Sequence, residues 1–323
     1  MGGVWRGLGQ SSFLADLGPR DREAPRLAAT IIAGGCVGLV ASVACWILIM
    51  VPYTFMIGLG REGLLGLGKV ALMFEDSHFH DLGITLLRLI ESTATDGAFP
   101  LAFVSLAAVM THRPFRRYIT AASHVRWRLM LMGLVLSVVV MSPLIIAGRL
   151  SLAHPIRPPM VGIAPTLVGR GVYAIAAGLL IPAAAAEELM FRGWLLRQLA
   201  AFSRRPLVLI GVTAIVFSAA HFDFTPEVFL NHAVMGAGFA YMTLRSGGIE
   251  LSTGAHAANN ILFILLVKPF GMGGVASSGI WLGDLGLLLG YVVVTEAIVR
   301  LPQIRVWADL ELPETAPPPA ATA

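Results

Sequence analysis

The feature that most constrains this chain is a series of about eight continuous apolar runs, each near the roughly 20 residues that carry a helix across a bilayer. They fall at about 28–56, 97–112, 129–148, 171–202, 206–224, 226–245, 249–269 and 279–299. In hydrocarbon every backbone N–H and C=O must find a partner within the protein, so only helices and closed barrels are admissible. The runs lack the period-two alternation of barrel strands, which leaves helices. Composition agrees: 56% of the 323 residues are hydrophobic and 13% are charged, against about 25% charged in soluble domains. The sequence therefore predicts an all-α, polytopic transmembrane helix bundle with the lipid bilayer as its main partner.

A formal charge of +4 and a pI near 9.4 do not point to nucleic acid, because the basic residues sit at the ends of the apolar runs, where membrane topology accounts for them. Fifteen Lys and Arg fall on one side of the spans and seven on the other, with Arg192 inside a span. The cluster Arg113, Arg116, Arg117, Arg126 and Arg128 is the strongest single anchor. This imbalance predicts both termini in the cytoplasm. Arginine outnumbers lysine by twenty-one to two, the usage of a GC-rich bacterial genome, so the expected location is a bacterial inner membrane. The first run is full length and reads as a signal anchor. Cys36 and Cys45 are too far apart along that run to bridge each other. The stretch from Arg61 to Asp96 is mixed, with an amphipathic piece, Leu82 to Ile90, expected on the interface or partly re-entrant. Its cluster Glu75, Asp76, His78, His80 and Asp81 has metal-like residue types, but a solvated face accounts for it.

Ionisable residues within apolar runs are costly, by at least about 2.5 kcal/mol each, and mark function by default. The fourth run carries Glu187, Glu188 and Arg192. Glu188 and Arg192 are four apart with acid before base, so they can neutralise each other on one helical face. Glu187 points about 100° away and lacks that partner. A poorly solvated carboxylate of this kind suits a general base or acid. In the fifth run Phe217 precedes His221 by four. Glu187 and His221 each lie seventeen positions from Arg204, in the turn Ser203 to Pro206. In an antiparallel hairpin that places them at one depth, facing each other. Asp223 orients His221 only if the helix breaks near Pro226.

In the seventh run His256 and Asn260 stack on one face, where both can donate to a developing oxyanion. An interhelical polar clamp would use the same residues, and the small Gly254, Ala255, Ala257 and Ala258 serve either purpose. Asn231 and His232 in the sixth run are expected to line the same cavity, whereas Asp284 and Glu296 in the last are expected at interfaces or in pairs.

Taken in order, Glu187-Glu188 with Arg192, Phe217 with His221, and His256 with Asn260 resemble the three signatures of the CPBP family of intramembrane endopeptidases, which includes CAAX prenyl proteases and bacteriocin-processing or Abi proteins. Gly236, Gly238 and Tyr241 to Ser246 resemble the Gly- and Tyr-bearing stretch before the last signature, so the likeness spans about residues 170–270. It implies that Glu187 and His221 activate the water that attacks an amide, that His256 and Asn260 stabilise the oxyanion, and that Glu188 and Arg192 support them. Members of the family are often called metalloproteases, so the cofactor stays open: zinc on Glu187, His221 and His256, or a water activated by Glu and His alone. The implied partner is a membrane-associated polypeptide substrate. A transporter or non-catalytic scaffold is the alternative, which an inverted repeat or paired broken helices would favour; the sequence has neither. The expected organisation is an N-terminal segment (1–27), peripheral helices and loops (28–165), a catalytic core (166–301) and a disordered tail (302–323).

Overall fold

The computed structural model describes residues 2–63, 65, 66, 69, 82–150, 158–267 and 280–310. The acidic and histidine-bearing stretch 75–81 lies outside them. The architecture is an all-α membrane bundle whose main helices are α1 (Ala24–Met56), α2 (Leu82–Met110), α3 (Trp127–Leu150), α4 (Leu167–Phe202), α5 (Pro206–Ala219), α6 (Pro226–Ser246), α7 (Glu250–Leu262) and α8 (Ile280–Arg300). Among the described residues, α1 to α4 are each long and apolar enough to cross a membrane, α3 over Trp127–Ala147. The protein is an integral membrane protein.

Helix α2 begins well before the expected position 97 and takes in the whole Leu82 to Ile90 stretch. Its polar residues are tolerable because they pair along the helix: Arg88 meets Glu91 at 3.7 Å, and Ser92 bonds Asp96. Helix α5 instead stops at Ala219, short of the expected 224, because Phe222 takes a left-handed φ of 54° and Asp223 accepts bonds from the Thr225 amide and hydroxyl just ahead of Pro226. Asp223 is thus engaged in starting α6. At the other end, a short helix, Pro302–Trp307, and the buried Leu310 extend ordered chain beyond residue 301; residues 311–323 lie outside the described residues.

Lipid-facing α1 leans on α2, placing Phe99 and Phe103 where its glycines Gly38 and Gly34 leave room. The core that matters for the site lies where α3, α6, α7 and α8 meet, with Leu129, Phe239, Leu251 and Tyr291 fully buried. Helix α6 ends at Gly247, whose φ of 78° suits glycine, and the chain turns at once into α7. Helices α3 and α7 cross so closely that a Cβ on Gly254 would overlap the Met130 carbonyl oxygen, and a buried ion pair, Arg126 to Glu250 at 2.7 Å, fastens their starts. Small residues at such a crossing are the usual means of tight helix approach in membranes.

The N-terminal segment is docked on the Arg-rich end of the bundle. Phe13 and Leu14 are fully buried beside Tyr118 and Trp194. Arg197 bonds the Phe13 carbonyl and Asp16, and Arg113 reaches Asp21 at 3.0 Å. Burial raises the Asp21 pKa, but the bonds from Arg113 and the Gly18 amide outweigh it and hold the carboxyl below its ordinary value of 3.8. A depressed folded-state pKa means that this contribution is present above the unfolded value and lost as pH falls through the folded one.

Two outcomes follow. Gly254→Leu should part α3 from α7 and lower stability by about 1–3 kcal/mol or more, read as a drop in Tm in detergent. Protection of residues 11–22 from protease should be constant near neutrality and weaken below about pH 4, and Asp21→Asn should weaken it already at pH 7.

Candidate active site

Helix α4 is irregular where the chemistry-bearing residues sit. Pro182 has no N–H to donate, and the turn Ala177–Leu179 just before it is 3-10 rather than α. Directly after Glu188 the helix widens into a π-helical stretch, Leu189–Leu195, which carries Arg192. Widened turns of this type concentrate at functional sites.

Glu188 and Arg192 close their expected pair, Nη1 to Oε1 at 2.8 Å, with neither side chain exposed. Arg192 also donates through Nη2 to the Gly236 carbonyl of α6 at 3.0 Å. Its guanidinium lies over the Phe217 ring at 4.4 Å and near Phe239 at 5.3 Å. Cation–π contact and hydrogen bonds together replace the water that this charge has lost.

The same Glu188 oxygen accepts from His256 Nδ1 at 3.0 Å. An ionised carboxylate only accepts, so Nδ1 of His256 carries a hydrogen. The His256 ring is stacked on Phe239 (4.8 Å, 22°) and meets the edge of Phe217 at 5.7 Å. Its outer nitrogen, Nε2, therefore has a fixed direction, and it faces Glu187 Oε2 at 3.8 Å. That separation is longer than a direct hydrogen bond. The Glu187 side chain is 29% exposed while that of its neighbour Glu188 is 0% exposed. Two adjacent carboxylates thus have different surroundings: one locked in an ion pair, one open to the site.

His221 lies just past the end of α5 and is exposed. Its Nδ1 donates to the Phe217 carbonyl at 2.9 Å, which leaves Nε2 as an acceptor in the neutral ring. The ring meets Phe217 edge-to-face with centroids 4.8 Å apart and stacks on His232 of α6 at 3.9 Å. Asn260, one turn beyond His256 on α7, is half-buried. The structure so gathers Glu187, Glu188, Arg192 and His256 by direct approach and links His221 to them through Phe217. Among the described contacts none joins Glu187 to His221. The bond between Glu188 and His256 is the feature that sequence reasoning missed, because i, i+4 spacing reports only pairs on one helix.

Asp284 of α8 accepts from Asn231 at 2.7 Å, and Glu296 holds Arg245 at 2.8 Å and Tyr241 at 2.6 Å, so both acids are paired. Among the described residues no three His, Cys, Asp or Glu side chains converge as a metal would require. Nδ1 of His256 is taken by Glu188 and Nδ1 of His221 by a carbonyl, and their outer nitrogens do not meet on one point with Glu187. Glu187, His221 and His256 as described do not form a zinc site.

Residues 169–262 match the family model described as type II CAAX prenyl endopeptidase Rce1-like. The Rce1-like segment covers all three paired motifs, and with them α5, α6, α7 and all of α4 but its first turn. A second comparison gives 33% identity over 178 residues with the uncharacterized protein YyaK of Bacillus subtilis (strain 168), 51% of this chain. The aligned part is 57% of the length of that relative. No solved structure matches the chain. The resemblance to the CPBP proteases read from the motifs is thus found again in the Rce1-like segment and is consistent with the distant relative.

Because Arg192 neutralises a fully buried carboxylate, Arg192→Leu should cost about 3–5 kcal/mol, the range for stranding one partner of a buried pair. Glu188→Gln, which keeps an acceptor for His256, should cost less. Thermal denaturation of the purified variants in detergent measures the difference.

Proposed function

We propose that the protein is an intramembrane endopeptidase that hydrolyses a peptide bond of a membrane-associated polypeptide. The observation that carries this reading is the Glu187 carboxylate, open to the site, opposite a histidine nitrogen whose direction is fixed from behind by a buried ion pair. The match of residues 169–262 to an endopeptidase family supports it.

In this mechanism Glu187 takes a proton from a water held between its carboxylate and the neighbouring imidazoles. Glu187 and His221 act on the water from two sides, since His221 in its neutral form offers a lone pair at Nε2. The water oxygen attacks the scissile carbonyl carbon, and the carbonyl oxygen becomes an oxyanion. His256, protonated on both nitrogens, and the Asn260 amide donate hydrogen bonds to it. On collapse the C–N bond breaks, and the proton held by Glu187 passes to the leaving nitrogen, so that the carboxylate is restored. Glu188 and Arg192 do not touch the reacting atoms; they keep Nδ1 of His256 engaged and its ring in place. A processing or self-immunity role on a membrane peptide fits a bacterial inner membrane better than trimming of prenylated CAAX ends. Both termini lie on the cytoplasmic side in this reading.

A direct test compares membrane proteomes of strains producing the wild-type chain and the Glu187→Ala variant. An uncleaved protein should accumulate only in the variant, since loss of a general base costs about 10²–10⁴ in rate. Equal processing in both strains, with Glu187→Ala present and folded, removes Glu187 from the mechanism. Processing in isolated membranes should survive rigorous chelation; loss of activity that added zinc restores would overturn the metal-free route.

A further inference from the structure

His232 belongs to none of the paired motifs, yet it is built into the same wall. It lies in the second turn of α6, where its ring stacks on that of His221 with centroids 3.9 Å apart and planes 16° from parallel. Its Nδ1 is buried and has no hydrogen-bond partner among the described residues. The charged and titratable groups that act on it are His221 and Asp223, both in the link between α5 and α6, and His256 of α7. The preceding residue, Asn231, points about 100° away and donates to Asp284 of α8 at 2.7 Å, which ties α6 to α8 at this level.

His221 needs such support. It stands beyond the last turn of α5, one residue before the left-handed Phe222, and it is exposed. One hydrogen bond, from its Nδ1 to the Phe217 carbonyl, ties the ring, and a single bond leaves it free to swing. Phe217 meets the ring edge-to-face and His232 covers one of its faces. A stacked partner adds a preference for one plane, and with Nδ1 bonded inward that plane sets where Nε2 points.

We propose that His232 is a positioning residue: by stacking, it holds the His221 ring in the orientation that presents Nε2 to the site. The part played in catalysis rests on the endopeptidase reading, whereas the clamp itself is a property of the fold. Replacing His232 by Ala removes the face and frees His221. Replacing it by Phe keeps a flat ring of similar size and should restore the clamp without restoring either nitrogen.

Both halves can be measured on the full-length protein. In proteoliposomes, the rate at which diethyl pyrocarbonate modifies His221, read by mass spectrometry, should rise in His232→Ala by roughly two- to tenfold, the range to which the coupling of an aromatic pair converts. His232→Phe should stay near the wild-type rate. In cells, His232→Ala should accumulate the uncleaved protein identified with Glu187→Ala, and His232→Phe should largely clear it. An unchanged modification rate in His232→Ala, or equal acceleration in the Phe variant, overturns the clamp. A changed rate with normal processing overturns its part in the reaction. If His232→Ala does not fold, the pair His232→Leu and His232→Phe decides, since Leu fills space without a stacking face. Should Glu187→Ala itself process normally, the endopeptidase reading fails, and the modification rates still test the clamp.

Discussion

A single carboxylate oxygen, Oε1 of Glu188, holds the centre of this molecule together. It takes Arg192 from its own helix and His256 from α7 at once, while Arg192 reaches across to the backbone of α6. Three helices are thus fastened at one point by charge-assisted bonds in surroundings where no water competes for them. The cost of burying two charges in a membrane is large, and packing alone would avoid it. What the arrangement provides instead is direction: the imidazole of His256 is held at its rear nitrogen, stacked on Phe239 and met edge-to-face by Phe217, so its front nitrogen has one place to point.

The adjacent residue shows why two consecutive glutamates serve different ends. Glu188 turns into the bundle and is consumed by structure. Glu187, about 100° round the helix, is left open and lies 3.8 Å from the front nitrogen of His256. The π-helical stretch begins at the next residue. It makes a local break in the hydrogen-bond ladder where Arg192 must turn inward, so helix irregularity and buried charge occur together.

Much of this was readable in the chain itself. Continuous apolar runs gave the helical bundle, because hydrocarbon admits few alternatives. The Glu188 to Arg192 pair followed from spacing, and the paired motifs from the resemblance. What sequence could not supply was tertiary. Hairpin geometry set Glu187 and His221 at one depth but carried no information on rotation about each helix axis, and the closest described partner of Glu187 is His256. The early start of α2 was hidden because hydropathy counts Arg88, Glu91 and Asp96 singly, although they are neutralised or bonded along the helix. The early end of α5 was hidden because the break depends on one left-handed residue, Phe222, that has no composition signal.

The docked N-terminal segment bears on how such a molecule is assembled. Residues 11–22 leave the ribosome first, yet the groups that receive them, Arg113, Arg197 and Arg204, come from the second loop and from the far end of α4. Its seat is therefore complete only once Arg197 and Arg204, at the far end of α4, are in place. Closure of that end thus joins the two ends of a long stretch of chain: Phe13 is seated where Arg197 of α4 meets its carbonyl and where Tyr118 and Trp194 surround its ring.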